Sequence, residues 1–580
     1  MTTPLSTIYM TQEQDNDLRA TIHKRRQQRN EVQDRQREPK HAKSLVSQAT
    51  AAALLADMAN ATGGQENNER MPAMEVGRNE KVLEFSRKMV IKEPYFTLSD
   101  SAEPTLRVDH PSDLGIEPFD VGRDKGVECA EKYKTKGNIA LRQGDLADAY
   151  SCYTQGLGIA LKSVGNDGET HGLASDIHRN RSHVNLLLGR FDEALADALS
   201  SVTQKTSDKA RALDAKAYFR AGCAAYRLED WHKAKKYFSF QQQLAPDDRD
   251  AKVHQRKTEI RLREQAGAGY RFEKLKTSLS RSHPRVDAAT YTGSTAIAKT
   301  TSHGQGLFAT NDIAKGDIVL CEKAFCIVWA HEEAAWTTMT LDARDERIRA
   351  FPAGLAKALV QKLRNNSSQV EKVQALFSDH KGLDQLVMSD GEPVIDTFQI
   401  HDIICRNAFS PGAQFGEEDV RRASAGLWIR ASYMNHSCVP NTEREFIGDL
   451  MVVRASRDVK AGDEITHIYD DSNDLEKRAE SLMRTWGFVC ECPRCLAERE
   501  DGKVLRDQRR VLEDRANALI ERESPVGASR LVVRKAENLA KAIEGTYDAK
   551  RYEGLPRPAL MNLERWLVAA RPPKSKSRDI

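Results

Sequence analysis

Between residues 130 and 248, apolar and small residues recur with helical spacing in three stretches that overlay one another. The stretches are "KTKGNIALRQGDLADAYSCY", "RNRSHVNLLLGRFDEALADA" and "YFRAGCAAYRLEDWHKAKKYF". Aligned on a unit of about 34 residues, Gly137, Ser182 and Gly222 share one position. Ala149, Ala194 and Ala234 share a second, and Tyr153, Ala198 and Phe238 a third, while Pro246 closes the last unit. Small residues at fixed places let paired helices approach closely, so the pattern predicts stacked helical hairpins over residues 125–260.

The texture then changes. Residues 261–285 read as a linker, and "GLFATNDIAKGDIVLCEKAFCIVW" (306–329) turns to β-branched residues punctuated by glycine, which predicts short strands. Helical patterning returns over 330–400, strand texture over "LMVVRASRDVKAGDEITHIY" (450–469), and amphipathic helices over 500–570, "RVLEDRANALIE" and "LVVRKAENLAKAIE" among them. Residues 1–80 are polar and poor in aromatics, which predicts a charged, disordered segment, and "PPKSKSRDI" reads as a loose tail. The fold class expected is multidomain: an all-α repeat domain, then a mainly-β domain with a helical insertion and a helical C-terminal segment.

Composition narrows the function. Charged residues make up 30% of the 580 and nearly cancel to +3, so no large basic field invites nucleic acid. "KRRQQR" lacks a second basic cluster and reads as an exposed charged helix rather than a nuclear address. No apolar run is long enough for a signal peptide or a membrane span. Ten cysteines, scattered apart from one trio, are not a disulfide framework, so a reducing compartment, nucleus or cytoplasm, is expected.

The chemistry sits in a few short pieces. "MNHSCVPN" (434–441) carries Cys438, and "GFVCECPRC" (487–495) carries Cys490, Cys492 and Cys495. Three thiols plus one match a closed tetrahedral zinc site, in which four sulfurs leave no place for water. Cys129, Cys152, Cys223, Cys321, Cys326 and Cys405 stand in apolar settings and read as compact core residues.

"HGQGLFA" (303–309), "NHSCVPN" (435–441) and "GDEITHIYD" (462–470), in this order and followed by Cys-x-Cys-x-x-Cys, resemble the SET domain of protein lysine methyltransferases. The SMYD-like branch is most similar, over about 286–496, with the SET domain at 286–475 and a post-SET zinc segment at 476–498. The resemblance implies S-adenosylmethionine (SAM) as cofactor and a histone or non-histone lysine as substrate. It implies that Gly304 and Gly306 clear a path for the cofactor and that the Asn435 amide holds its amino-acid end. The His436 backbone would read adenine, with Phe488 stacking beside it and Trp486 near. Tyr469 would be the catalytic tyrosine, and Cys438, Cys490, Cys492 and Cys495 would hold a structural Zn²⁺. His467 is expected to be structural rather than a base. Asn407 and Phe409 either line the cofactor or lysine region or serve the core, and Tyr433 either walls the lysine channel or packs. Two departures stand out. Gln305 replaces a frequent arginine, and residues 327–404 contain no cysteine, so the MYND finger of the SMYD pattern is absent.

The three aligned stretches resemble tetratricopeptide repeats (TPR), and the whole is similar to a fungal-type TPR–SET arrangement. Lys134 and Asn138, Asn180, and Lys216 and Arg220 occupy helix positions similar to the carboxylate clamp of co-chaperone repeats. That likeness implies a possible grip on the C-terminal tail of Hsp90 or Hsp70, through cations and amides converging on a carboxylate. The competing reading is a catalytically silent chaperone adaptor.

Overall fold

The computed structural model describes residues 123–162, 168–267, 269–300, 304–336, 340–342, 347–349, 351–380, 387–389, 392–417 and 423–570. The expectations for residues 1–80, "KRRQQR", the tail "PPKSKSRDI" and His303 lie outside these residues.

The chain divides into two compact units. The described part of the first, residues 132–152, is the end of helix α1 (Arg123–Gln143), a turn, and the start of helix α2 (Leu146–Lys162). Gly144 turns the chain with a φ of 80°, and the Asp145 carboxylate caps the Asp148 N–H at 3.0 Å.

In the second unit, helices α3 (Gly168–Leu188), α4 (Phe191–Ser200), α5 (Asp208–Arg227) and α6 (Trp231–Leu244) pack against their sequence neighbours, and α7 (Arg249–Gln265) packs on α6. The aligned small residues explain the close approach. Ser182, Ala194, Ala198, Ala234 and Phe238 are fully buried, and a methyl on Gly222 would stand 2.5 Å from the Phe238 ring. Left-handed turns recur at Gly189 and at Glu229, in step with Gly144. The register of the alignment therefore holds, but the hairpins are longer than a 34-residue unit, because α3 is extended and a loop of residues 201–207 separates α4 from α5.

After α8 (Phe272–Ser278) come strands β1 (Thr295–Lys299), β2 (Gln305–Ala309), β3 (Ile318–Lys323) and β4 (Cys326–Trp329). The insertion contains the expected helices, α9 (Phe351–Asn365), α10 (Val370–Gln374) and α11 (Thr397–Asn407). It also contains two unexpected ribbons, β5 (Thr340–Asp342) with β6 (Arg347–Arg349), and β7 (Met388–Ser389) with β8 (Glu392–Pro393). Then follow β9 (Ala408–Phe409), β10 (Ser424–Leu427), β11 (Asn435–His436), β12 (Thr442–Ile447), β13 (Leu450–Ala455) and β14 (Thr466–His467). Helices α12 (Leu475–Trp486), α13 (Pro493–Glu500), α14 (Gly502–Arg522), α15 (Arg530–Glu544) and α16 (Pro558–Ala570) end the described chain.

The strands form small sheets: β1–β2, β12–β13–β3, β4–β10–β9 and the parallel pair β11–β14. Their shared core is Leu307, Leu320, Trp329, Trp428, Met434, Met451 and Ile465. On α9, Leu355, Leu359 and Leu363 recur every four residues and bury one face against Val328, Ile400, Ile403 and Leu427. The turn between α3 and α4 docks on this insertion. Asn366 accepts from the Phe191 N–H at 2.8 Å and donates to the Gly189 carbonyl at 3.0 Å, while Asp192 accepts from the Ser368 N–H at 2.9 Å. Helices α14–α16 close a separate core around Tyr552, Leu563 and Trp566.

Candidate active site and metal centre

The parallel pair β11–β14 brings two motif pieces together, with Asn435 opposite Thr466 and His436 opposite His467. Asn441 fastens the crossing: its Nδ2 donates to the Glu464 carbonyl at 2.8 Å, and its Oδ1 accepts from the Thr466 N–H at 2.9 Å. The glycine piece lies alongside, because the Ile465 N–H donates to the Leu307 carbonyl at 2.7 Å. A methyl on Gly306 would meet Glu464 Oε1 at 2.6 Å and Asn435 Nδ2 at 3.0 Å, so a larger residue there would push this pair of side chains aside. At Gly304 the requirement is different: φ is 83° and a methyl would meet nothing within 4 Å, which leaves open space before the backbone. Asn435 Nδ2 donates to Glu464 Oε1 at 2.7 Å and to the Gln305 carbonyl at 3.2 Å. Both amide hydrogens are thus engaged, and the group Asn435 can offer a cofactor is Oδ1, an acceptor suited to an ammonium.

Tyr469 follows β14. Its hydroxyl donates to the Met434 carbonyl at 2.9 Å, and burial pushes the phenol's pKa upward. Trp486 and His467 stand 4.8 Å and 4.7 Å from its ring, and the Trp486 indole is fixed by donation to the Arg406 carbonyl at 2.9 Å. Phe488 follows the left-handed Gly487 that caps α12, with its ring 6.0 Å from His436 and 6.4 Å from Tyr469. Burial, reinforced by the Arg444 guanidinium 2.8 Å from Nδ1, drives the His467 pKa down, so that ring is neutral. Asn407 donates to the Phe377 and Ile403 carbonyls, which is a core role, whereas Phe409 lies 5.3 Å from His467. The Tyr433 hydroxyl donates to the Ala375 carbonyl at 3.3 Å.

The four cysteines converge. All their sulfurs lie within 4.8 Å of one another, with Cys438 at 3.9 Å from Cys490 and 3.5 Å from Cys495. A zinc ion bonded at about 2.3 Å to each sulfur requires sulfur separations of about 3.8 Å, so the donor set fits. Hydrogen bonding with Cys438 and Cys490 draws the Cys495 thiol's pKa downward. Behind the sulfurs, Arg478 is fully buried, with its guanidinium 3.5 Å from Cys495 Sγ and paired with Glu498, which Arg494 also meets at 2.8 Å.

Sequence reasoning missed Glu464, Arg478 and Glu498. Glu464 sits inside a motif already singled out, but its partner Asn435 is a chain crossing away. The two buried charges lie on amphipathic helices and look like surface residues in sequence. Of the clamp residues, Lys134 and Asn138 lie on α1, Asn180 on α3, and Lys216 and Arg220 on α5. The Arg220 guanidinium donates to the Arg179 carbonyl, which ties α5 to α3.

Residues 304–470 match the SET domain family. The chain carries a SET domain. It is similar to a methyltransferase of Gibberella zeae, 27% identical over 80% of this chain and 66% of that protein. It is also similar to human histone-lysine N-methyltransferase SMYD3, 30% identical over 24% of this chain and 35% of that protein. Human protein-lysine N-trimethyltransferase SMYD5 is 39% identical over 14% of this chain and 22% of that protein. The chain thus spans just under two thirds of the first relative and about a third or less of the others. Among solved structures, the first TPR of Spaghetti (RPAP3) bound to an HSP90 peptide is 27% identical over 23% of this chain and 97% of that one, with a TM-score of 0.19.

Proposed function

We propose that this chain is a SAM-dependent protein-lysine N-methyltransferase acting on a histone or non-histone protein. The observation that carries the reading is the meeting of Gly306, Asn435 and Tyr469 at one crossing within the SET domain. SAM, when bound, supplies a methyl on a sulfonium carbon, and in-line displacement makes positioning the main task. Gly304 leaves the backbone open, Asn435 Oδ1 would accept from the cofactor's ammonium, and the His436 backbone and Phe488 would hold its adenine. Tyr469 donates its hydroxyl hydrogen bond to the Met434 carbonyl, so its oxygen lone pairs would be left to orient a lysine amine. A lysine with pKa near 10.4 must lose a proton first, and a dry channel beside a sulfonium disfavours the ammonium. No base is assigned here: both ring nitrogens of His436 are engaged, and His467 turns Nδ1 to Arg444. Cys438, Cys490, Cys492 and Cys495 would hold a structural zinc, which would tie the post-SET segment to the NHSC turn.

Labelled SAM incubated with wild type or Tyr469→Phe in a cell extract tests the assignment. The variant should transfer about a hundredfold more slowly, a loss typical of removing one group that acts at the transition state, and equal labelling would remove the tyrosine from the reaction. Calorimetry with SAM separates an enzyme from a silent adaptor, which would give no heat. The repeats, by this reading, dock partners through Asn180, Lys216 and Arg220. A peptide ending Glu-Glu-Val-Asp should lose affinity when Lys216 and Arg220 are both changed to alanine. Nucleus or cytoplasm is the compartment this function fits, and no described helix is long and apolar enough to cross a membrane.

A further inference from the structure

The imidazole of His436 stands between two groups so far treated separately. Its Nδ1 lies 3.0 Å from the backbone nitrogen of Tyr469, and its Nε2 lies 3.2 Å from Cys438 Sγ. A backbone amide can only donate, so Nδ1 is the bare nitrogen and the ring proton sits on Nε2, aimed at the sulfur. The β11–β14 ladder ends at His436 opposite His467 and the following Ser437 N–H, so it supplies no partner for the Tyr469 N–H; Nδ1 supplies it. The ring packs 5.3 Å from Tyr469 and 6.0 Å from Phe488, which holds its plane in place.

We propose that His436 is a positioning residue: Nε2–H holds the Cys438 thiolate, Nδ1 holds the Tyr469 main chain, and the metal centre thereby sets where the tyrosine hydroxyl stands. The proposal rests on the reading of the four cysteines as a zinc site and of Tyr469 as the tyrosine of transfer. It gives the side chain of His436 a task separate from the backbone contact assigned to the same residue. Groups that donate to metal ligands fix ligand orientation and commonly change metal affinity by about 10–100-fold when removed. Here the same ring also reaches the reaction side of the fold, so an event at the zinc is felt two bonds from the phenol-bearing residue.

Two substitutions divide the ring's tasks. In His436→Asn the amide oxygen stands in for Nδ1 and the donor to sulfur is lost. In His436→Gln the amide nitrogen stands in for Nε2–H and the acceptor for Tyr469 is lost. The full chain is loaded with cobalt(II) for spectroscopy, and backbone exchange of residues 466–470 is followed by mass spectrometry. His436→Asn should release metal to a chelator about tenfold more readily, and its thiolate-to-cobalt band should move to lower energy, because a sulfur without its donor gives up charge more easily. Exchange over 466–470 should stay slow in that variant. His436→Gln should keep the band and the metal but exchange residues 466–470 about tenfold faster. In wild type, stripping the metal should speed that exchange and reloading should restore it. A wild-type chain with no thiolate–cobalt band would overturn the zinc reading, and the link with it. A normal wild-type band would overturn the link alone if both variants matched wild type in band and exchange, or if stripping left exchange unchanged.

Discussion

The repeat helices and the four-cysteine end of the SET domain are held together in opposite ways. Between α3 and α6 the cohesion is shape: Ala194, Ala198, Ala234 and Phe238 vanish from solvent, and Gly222 makes room for a ring. Around Tyr469 the cohesion is directed: four sulfurs, Asn441, Asn435–Glu464 and Arg478–Glu498 each join segments far apart in the chain. Shape yields gradually when one residue changes, because neighbours relax. A directed tie fails at once, and what it leaves behind is a buried polar or charged group without its partner. The site is therefore the more brittle of the two regions.

Breaking the proposed zinc tie should have the largest effect. Cys490→Ser should abolish stoichiometric zinc, measured by elemental analysis, and open residues 470–500 to proteolysis. Structural zinc sites of this kind contribute apparent free energies on the order of 10 kcal/mol. Next comes Glu322, a buried carboxylate whose two oxygens accept from the Arg430 and Ala431 N–H groups and so hold the turn that leads into Asn435. Burial raises its pKa from 4.5 to about 7, despite those two donors. A raised folded pKa means that its contribution is complete below about pH 4.5 and is lost as pH rises through about 7. The span is on the order of 3 kcal/mol. Melting temperatures of wild type across that window should fall more steeply than those of Glu322→Gln, and parallel curves would exclude the carboxyl as the source. Smallest is Gly222→Ala, where a methyl 2.5 Å from the Phe238 ring should cost about 1–3 kcal/mol. It should lower the melting temperature while zinc content and SAM binding stay as in wild type. If zinc were lost too, the two regions would not be independent.

Legibility in the sequence follows the same divide. The repeats could be aligned from Gly137, Ser182 and Gly222 because close approach demands small residues wherever it occurs, and the turns at Gly144, Gly189 and Glu229 keep that register. The SET pieces were legible because glycine, Asn-His-Ser-Cys and the cysteine trio are residue types with few substitutes. Partnerships were not. Nothing local marks Glu464 as the acceptor for Asn435, and Arg478 on α12 looks solvated until its helix is placed against the sulfurs. The strand texture of 450–469 resolves into β13 and the two residues of β14, with loop between, since most of that stretch is bonded to β2 and to Asn441 rather than to a long ladder. The ribbons β5–β6 and β7–β8 escaped notice because strands of two or three residues carry too few alternations to show a period.

Asn366 has one further consequence. By grasping the turn at Gly189 and Phe191 with both ends of its amide, it welds helices α3 and α4 to the SET insertion rather than leaving them on a leash. Under the proposed function, cargo carried on those helices would be presented as in a jig: the scaffold would fix the span to the phenol, and a lysine would be chosen by how far it sits from the point of grip.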